Sequence, residues 1–496
     1  MGSTTFLLPN PVPPAAESLL RLACLAGGYD QAPAPARVEL ADGRLVLTRE
    51  TGESGFLLVP WPVGAGGAVV TTSATLRERA EPYQFLLELA RGKLNQVRTQ
   101  TGEWKEIGLV TPAAFDADLD ALTRQFGRAA LAADPAAADA DSAQVLERSF
   151  SLAGRLTELY VEQMFATRHQ EEGKLATWLT ARTGSAVAPA LSAEFRRAFN
   201  AVRVGLRWAD VEPEESRYNW AGLDQAVASA GELGLPAVFG PVIDLSPGMI
   251  PAWAESWRGD LPTLAAFMCD YLETVVGRYK DRVQRWVVCG GFNHADGLGL
   301  SDDDRLRLAA RLFEAAAPLD PALDLVLGLV QPFGDYLANG GQTVSPVAFA
   351  DDLIRAGARI GGIELEIRVG SIPRGSFPRD LLDTSRLLDL FSLLGPPLDV
   401  LLAHPAGGGA DPAAHAHGEG LWSPTWRGGP TPEAQSDWGM SVAALALCKP
   451  PVRSVTWDHW TDTDPHLTPS GGLIATSGRA NPLLGRLQGL RAAHLD

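Results

Sequence analysis

From Lys174 onward, short apolar runs alternate with stretches in which apolar side chains recur every three or four positions. The short runs read as buried strands and the second pattern as amphipathic helices, so the alternation predicts successive βα units. Strands are expected over residues 175–179, 201–208, 236–243, 284–289, 323–330, 362–369, 398–403 and 452–457. Helices are expected over 223–233, 261–279, 305–317, 346–356, 380–394 and 431–446. The fold class this predicts is α/β, a (β/α)8 TIM barrel over 173–496, with functional side chains just past the C-terminal ends of its strands.

The first 172 residues carry a different pattern. Residues 1–35, rich in Pro and Ala, are expected to lie along the surface. Alternation over 36–40 and 44–48 around the turn Ala41-Asp42-Gly43 predicts a hairpin, which 55–61 and 68–73 extend as further strands. Phe85, Leu86, Leu89, Leu94 and Val97 recur at helical spacing, predicting a helix over 81–101. Two more helices are expected over 112–131 and 141–171, with the Ala-rich 129–140 as a connector. Residues 1–172 thus read as an accessory region, a small β-sheet followed by helices packed on the barrel.

A formal net charge of -17 argues against nucleic acid, since no basic surface would offset phosphate repulsion. It suits a neutral ligand. No segment has the eighteen or so uninterrupted apolar residues of a membrane span, and the start of the chain lacks the basic and apolar blocks of a secretory leader, so a cytoplasmic location is expected. Cys24, Cys269, Cys289 and Cys448 form no CxxC pair and are expected to be reduced and mostly buried. The pattern gives no indication of oligomeric state.

Several motifs, in the right order, resemble glycoside hydrolase family 10. The block Phe199-Asn200 through Arg207-Trp208, then Glu212-Pro213, Tyr218-Asn219-Trp220 and Asp224, is similar to that family's second strand and the segment after it. Pro251-Ala252-Trp253 is similar to the segment after strand three, and Arg278-Tyr279-Lys280 with Val283 and Trp286 to the strand-four segment RYKG.V..WDVVNEA. Trp457–Asp462, Gly471-Gly472-Leu473-Ile474 and Pro482 are similar to its close. The resemblance, over about 174–490, implies a xylanase-type barrel and a β-linked oligo- or polysaccharide as ligand, with no cofactor. It also implies two catalytic glutamates, and neither is found. At strand four Gly291 takes the acid/base position, or His294 if Asn293 is matched to the family's Asn; at strand seven Ala403 takes the nucleophile position. Arg203 and Val204 stand in place of a sugar-contacting Glu-Asn, and Arg207 in place of a Lys.

Retaining glycosidases need two carboxyl groups about 5–5.5 Å apart. The candidates for relocated catalytic carboxylates are Glu366 and Glu364, which share one face of strand six, and Asp458 after strand eight. Arg368 and Arg374 are candidate ion-pair partners that would instead make the strand-six acids structural. Candidate sugar-binding residues are Trp208, Arg207, Asp244, Trp253, Asn293, His294, Gln331, Tyr336, His404, Trp457, His459 and Trp460. Further tryptophans in loops are Trp257, Trp422 and Trp426, and a tryptophan face covers a pyranose ring as readily as it plugs a barrel end. Six of the eight histidines follow strands four, seven and eight, where a His–carboxylate pair suits acid/base work. No metal site is expected, because His415 and His417 lack the helical spacing that fixes ligand geometry. Three functions follow from these features: a diverged glycosidase, a carbohydrate-binding or scaffold protein that has lost its chemistry, and, with least support, a metal- or His-dependent enzyme of another reaction class.

Overall fold

The computed structural model describes residues 2–64, 67–283, 285–294, 298–370, 376–409, 411–414, 426–427 and 429–496. Arg374, His415, His417 and Trp422 lie outside the described residues.

The N-terminal region holds β1 (Gly2–Leu7), α1 (Pro14–Leu20), β2 (Cys24–Gly27), β3 (Ala32–Ala34), β4 (Arg37–Ala41), β5 (Arg44–Arg49), β6 (Phe56–Pro62), β7 (Ala68–Thr72) and β8 (Tyr83–Gln84). The expected hairpin forms, with β4 antiparallel to β5 and Glu39 opposite Val46. It is not extended by the next two strands. These build a separate sheet in the order β3-β2-β6-β7, while the hairpin joins β1 and β8. The first 35 residues lie only partly along the surface: Phe6, Leu20 and Leu25 are buried in the main core.

Helices α2 (Phe85–Glu106), α3 (Ala113–Leu131) and α4 (Pro135–Glu172) follow. The Ala-rich stretch is mostly helix: alanine has the highest helix propensity, and Asp134 caps α4 by accepting from Ala136 N at 3.2 Å. Only residues 132–134 connect the two helices.

The barrel strands are β9 (Trp178–Thr183), β10 (Ala201–Val204), β11 (Ala237–Phe239), β12 (Ile243–Asp244), β13 (Arg285–Gly290), β14 (Asp324–Val330), β15 (Gly362–Arg368), β16 (Leu398–Ala403) and β17 (Val452–Trp457). All are parallel. β9 pairs with both β10 and β17, and β11 pairs with β13, so the sheet closes into a barrel of eight strand positions, the third shared by β11 and β12. That third strand is interrupted at Gly240, whose φ of +112° suits glycine. Around the barrel run α5 (Ser192–Ala198), α6 (Trp208–Val211), α7 (Ala221–Leu233), α8 (Ala252–Glu255), α9 (Leu261–Tyr279), α10 (Asp302–Ala316), α11 (Pro346–Arg355), α12 (Leu381–Ser392), α13 (Pro432–Cys448) and α14 (Pro482–His494). No helix among the described residues is long and apolar enough to cross a membrane.

Two strand boundaries differ from expectation. Strand one is 178–183 rather than 175–179, because Leu175 bridges Leu495 outside the barrel. Strand two stops at Val204, and Trp208 opens the short α6.

The lumen is partly charged. On β15, Glu364 lies level with Gly328, Asp399 and Ser454, and Glu366 one layer higher with Val330 and Leu401. β10 and β15 are not neighbours, yet Arg203 makes two hydrogen bonds to Glu364, from Nη1 to Oε2 and, at 3.0 Å, from Nη2 to Oε1. The pair therefore spans the lumen, and the alternation of strand side chains sends Glu366 and Arg368 inward as well.

The N-terminal region shares the main hydrophobic core with the barrel. At the joint, Val70 N donates to Pro378 O at 3.1 Å. Buried Lys93 of α2 pairs with Asp380, the cap of α12.

Candidate active site

At the C-terminal ends of β14 and β15 lies a cavity of about 190 Å³ lined by, among others, Ser246, His294, Gln331, Phe333, Glu366 and Arg368. Its remaining wall includes Arg379 and Trp438. Of the residues expected from the sequence, His294, Gln331 and Glu366 share this cavity.

Glu366 Oε2 lies 2.6 Å from Arg368 Nη2. Arg368 Nε in turn lies 3.4 Å from Asp458 Oδ2, and Arg182 Nη2 lies 3.1 Å from Asp458 Oδ1. Burial pushes the Glu366 carboxyl up to about 7; Arg368 opposes this, whereas Glu364, Asp244 and Asp458 add to it. For Asp458 burial also acts upward, but Arg182 and Arg368 overcome it and hold that carboxyl well below the usual range. Two neighbouring carboxyls are thus driven apart in acidity by how many guanidiniums each receives.

Glu364 lies below the cavity, locked on Arg203. Asp458 is fully buried behind Arg368. Asp244 accepts from Ser246 N at 2.8 Å through Oδ1. Its carboxylate fills the space beside strand four: a Cβ at Gly291 would meet Asp244 Oδ1 at 3.1 Å and Ser246 Oγ at 3.0 Å, at a φ of +72°. A glutamate at that position would be strained by this φ and would need Asp244 and Ser246 to give way by a few tenths of an ångström.

The aromatic residues pack. Trp208 Nε1 donates to Glu212 Oε2 at 2.7 Å, and its ring stacks on Tyr271 at 4.9 Å. Trp253 donates to Glu212 O and Trp457 to Gly471 O. Trp460 meets Phe195 and Phe199 edge-on, while Trp426 is buried and Trp257 is 40% exposed. Arg207 pairs with Asp210 at 2.6 Å. Asn293 clamps two strand ends, donating to Val330 O at 2.8 Å and accepting from Val330 N at 3.1 Å. Buried Tyr336 donates to Val344 O and carries His294 edge-on at 4.8 Å. Of these residues, His294, held against Tyr336, and Val330 line the cavity.

His404 is buried beside Trp438, and burial pushes its imidazole down to about 4, so it is neutral near pH 7. His459 lies 3.8 Å from Asp458 and 3.6 Å from Asp462; burial acts downward, but these two carboxylates overcome it and favour the imidazolium. His459, Asp462 and His466 bring one ligand atom each within 4.8 Å of one another. The two rings stack, however, 4.3 Å apart and 10° from parallel. A ring nitrogen's lone pair lies in the ring plane, so stacked rings do not direct two lone pairs at one ion, and the trio does not fit a shared metal.

Sequence reasoning missed Arg182, Arg379 and Trp438. Arg182 was missed because its strand, 178–183, was expected to end at 179.

Residues 167–304, the first half of the barrel, match the family model described as glycosyl hydrolase family 10. Endo-1,4-beta-xylanase A of Fusarium oxysporum f. sp. lycopersici is 26% identical over 173 residues, 34% of this chain and 50% of that protein. Endo-1,4-beta-xylanase 1 of Gibberella zeae is 25% identical over 175 residues, 34% of this chain and 46% of that protein. The chain spans about half the length of the curated relatives it matches. Native xylanase 10B from Thermotoga maritima superposes with a TM-score of 0.47 at 14% identity, covering 67% of this chain and 97% of that one. Residues 167–304, within the parallel barrel, are thus similar to glycosyl hydrolase family 10 and to its xylanases.

Proposed function

We propose that the protein is a glycoside hydrolase acting on a β-linked, xylan-type polysaccharide, with its catalytic carboxyl relocated to Glu366. The observation that carries this reading is Glu366 itself, an acid on the cavity wall raised to about 7. A carboxyl in that range is protonated in a useful fraction of molecules at neutral pH, as a general acid must be to donate to a leaving glycosidic oxygen. Asp244, whose charge acts on both Glu366 and Arg368, is the second carboxylate in this scheme. Asp458 is a positioning residue: by pairing with Arg368 it shares the guanidinium that would otherwise hold Glu366 ionised.

One observation favours a non-catalytic carbohydrate-binding protein instead. The two positions matched to the family's glutamates carry Gly291 and Ala403, and Glu366 is already tied to Arg368. Digestion of xylo-, cello- and manno-oligosaccharides separates the readings. The hydrolase reading expects product with the xylo-series, reduced at least about 100-fold in Glu366→Gln and in Asp244→Asn. Binding by calorimetry without product from any series would establish the non-catalytic reading.

A further inference from the structure

A second and larger cavity, about 460 Å³, lies where the N-terminal region meets the barrel. One wall is the face of α2 that carries Asn95, Gln96, Thr99 and Gln100, with Thr72 and Ser73 from the end of β7 and the residue after it. The opposite wall is α12, with Asp383 and Arg386. Pro332, Phe333 and Arg379 line both this cavity and the one at the barrel mouth, so the two share a wall.

The geometry points to a distal glycan-binding subsite in this cavity, built by the N-terminal region and taking the part of a neutral oligosaccharide chain that runs past the barrel mouth. This inference rests on the glycan-chain reading above.

Three features carry it. The volume falls within the roughly 300–1,000 Å³ typical of small-molecule sites. Its polar lining is mainly amides and hydroxyls, which donate and accept alike as sugar hydroxyls require. Its charges nearly cancel, with Asp30, Glu103 and Asp383 against Arg379 and Arg386, which favours a neutral ligand over an anionic one. The shared wall is itself a platform. Arg379 lies over the Phe333 ring at 4.2 Å and pairs with Asp335, while its buried Nε has no hydrogen-bond partner among the described residues. Asn95 and Thr99 are exposed one helical turn apart on α2, so each can be truncated without opening the core.

The test measures calorimetric affinity for xylohexaose and xylobiose, and reducing-end release from xylohexaose, in the full chain and in Asn95→Ala/Thr99→Ala and Arg386→Ala variants. The inference expects hexaose affinity to fall about tenfold in the double variant, with xylobiose affinity unchanged. Hydrolysis by the parent with hexaose affinity unmoved in both variants overturns the subsite and leaves the hydrolase reading standing. Substitution-sensitive hexaose binding without hydrolysis supports the subsite and overturns the hydrolase reading. Failure of xylohexaose, cellohexaose and mannohexaose alike to bind the parent overturns both.

Discussion

At the scale of single residues, the charged lumen decides what each acid can do. Glu364 and Glu366 are two positions apart on one strand face, but Arg203 takes both oxygens of the first and Arg368 pairs with the second. Removing one partner of a buried pair leaves an uncompensated charge, so Arg203→Met should cost about 3–5 kcal/mol in urea unfolding, and Arg203→Met/Glu364→Met should recover most of it. Glu366 makes stability depend on pH in a defined direction. Its folded value, about 7, lies above the ordinary 4.5, so folding favours the neutral acid. That contribution is complete below about 4.5 and is lost as pH rises through about 7. The melting temperature should therefore carry a downward contribution between about pH 4.5 and 7.5 in the parent that is absent in Glu366→Gln; equal slopes over that range would remove Glu366 from the account.

At the scale of elements, most of the barrel was legible in the chain. Apolar strands and amphipathic helices give strong periodic signals, and strands six to eight lie within a residue of expectation. Strand one was misplaced because its lumen-facing residues, Thr180 and Arg182, are polar and break the apolar run that marks a buried strand. The alternation on strand six put Glu364 and Glu366 on one face, but no local pattern could show that Arg203 reaches Glu364 across the lumen. The tryptophans were legible as residues at or past strand ends; their packing role depends on acceptors in other segments of the chain, Glu212 O for Trp253 and Gly471 O for Trp457. The glycine at the end of strand four is set by Asp244 and by its own positive φ. Gly291→Ala should consequently destabilise the fold by about 1–2 kcal/mol in denaturant unfolding. For the same reason Gly291→Glu should not raise hydrolytic activity, and a gain in rate would contradict the crowding seen there.

At the scale of the whole molecule, the N-terminal region and barrel are joined by a buried ion pair inside a common core. Lys93→Met would leave Asp380 buried without its ammonium partner, and a loss of about 3–5 kcal/mol is expected, largely restored in Lys93→Met/Asp380→Asn. The region's hairpin and next two strands were legible from their alternation, whereas β2, β3 and β8 are too short to show a period, and Phe6 of β1 is buried against Phe85 far along the chain. Joined in this way, the two parts place the larger cavity beside the mouth and Glu366 on the mouth's inner wall. The most direct test of that arrangement is kcat/KM on xylohexaose from pH 5 to 9 for the parent and Glu366→Gln. The account predicts activity that falls as pH rises through about 7 in the parent and is lost at least about 100-fold in the variant. Hydrolysis that survives Glu366→Gln, or a parent profile flat across that range, would contradict it.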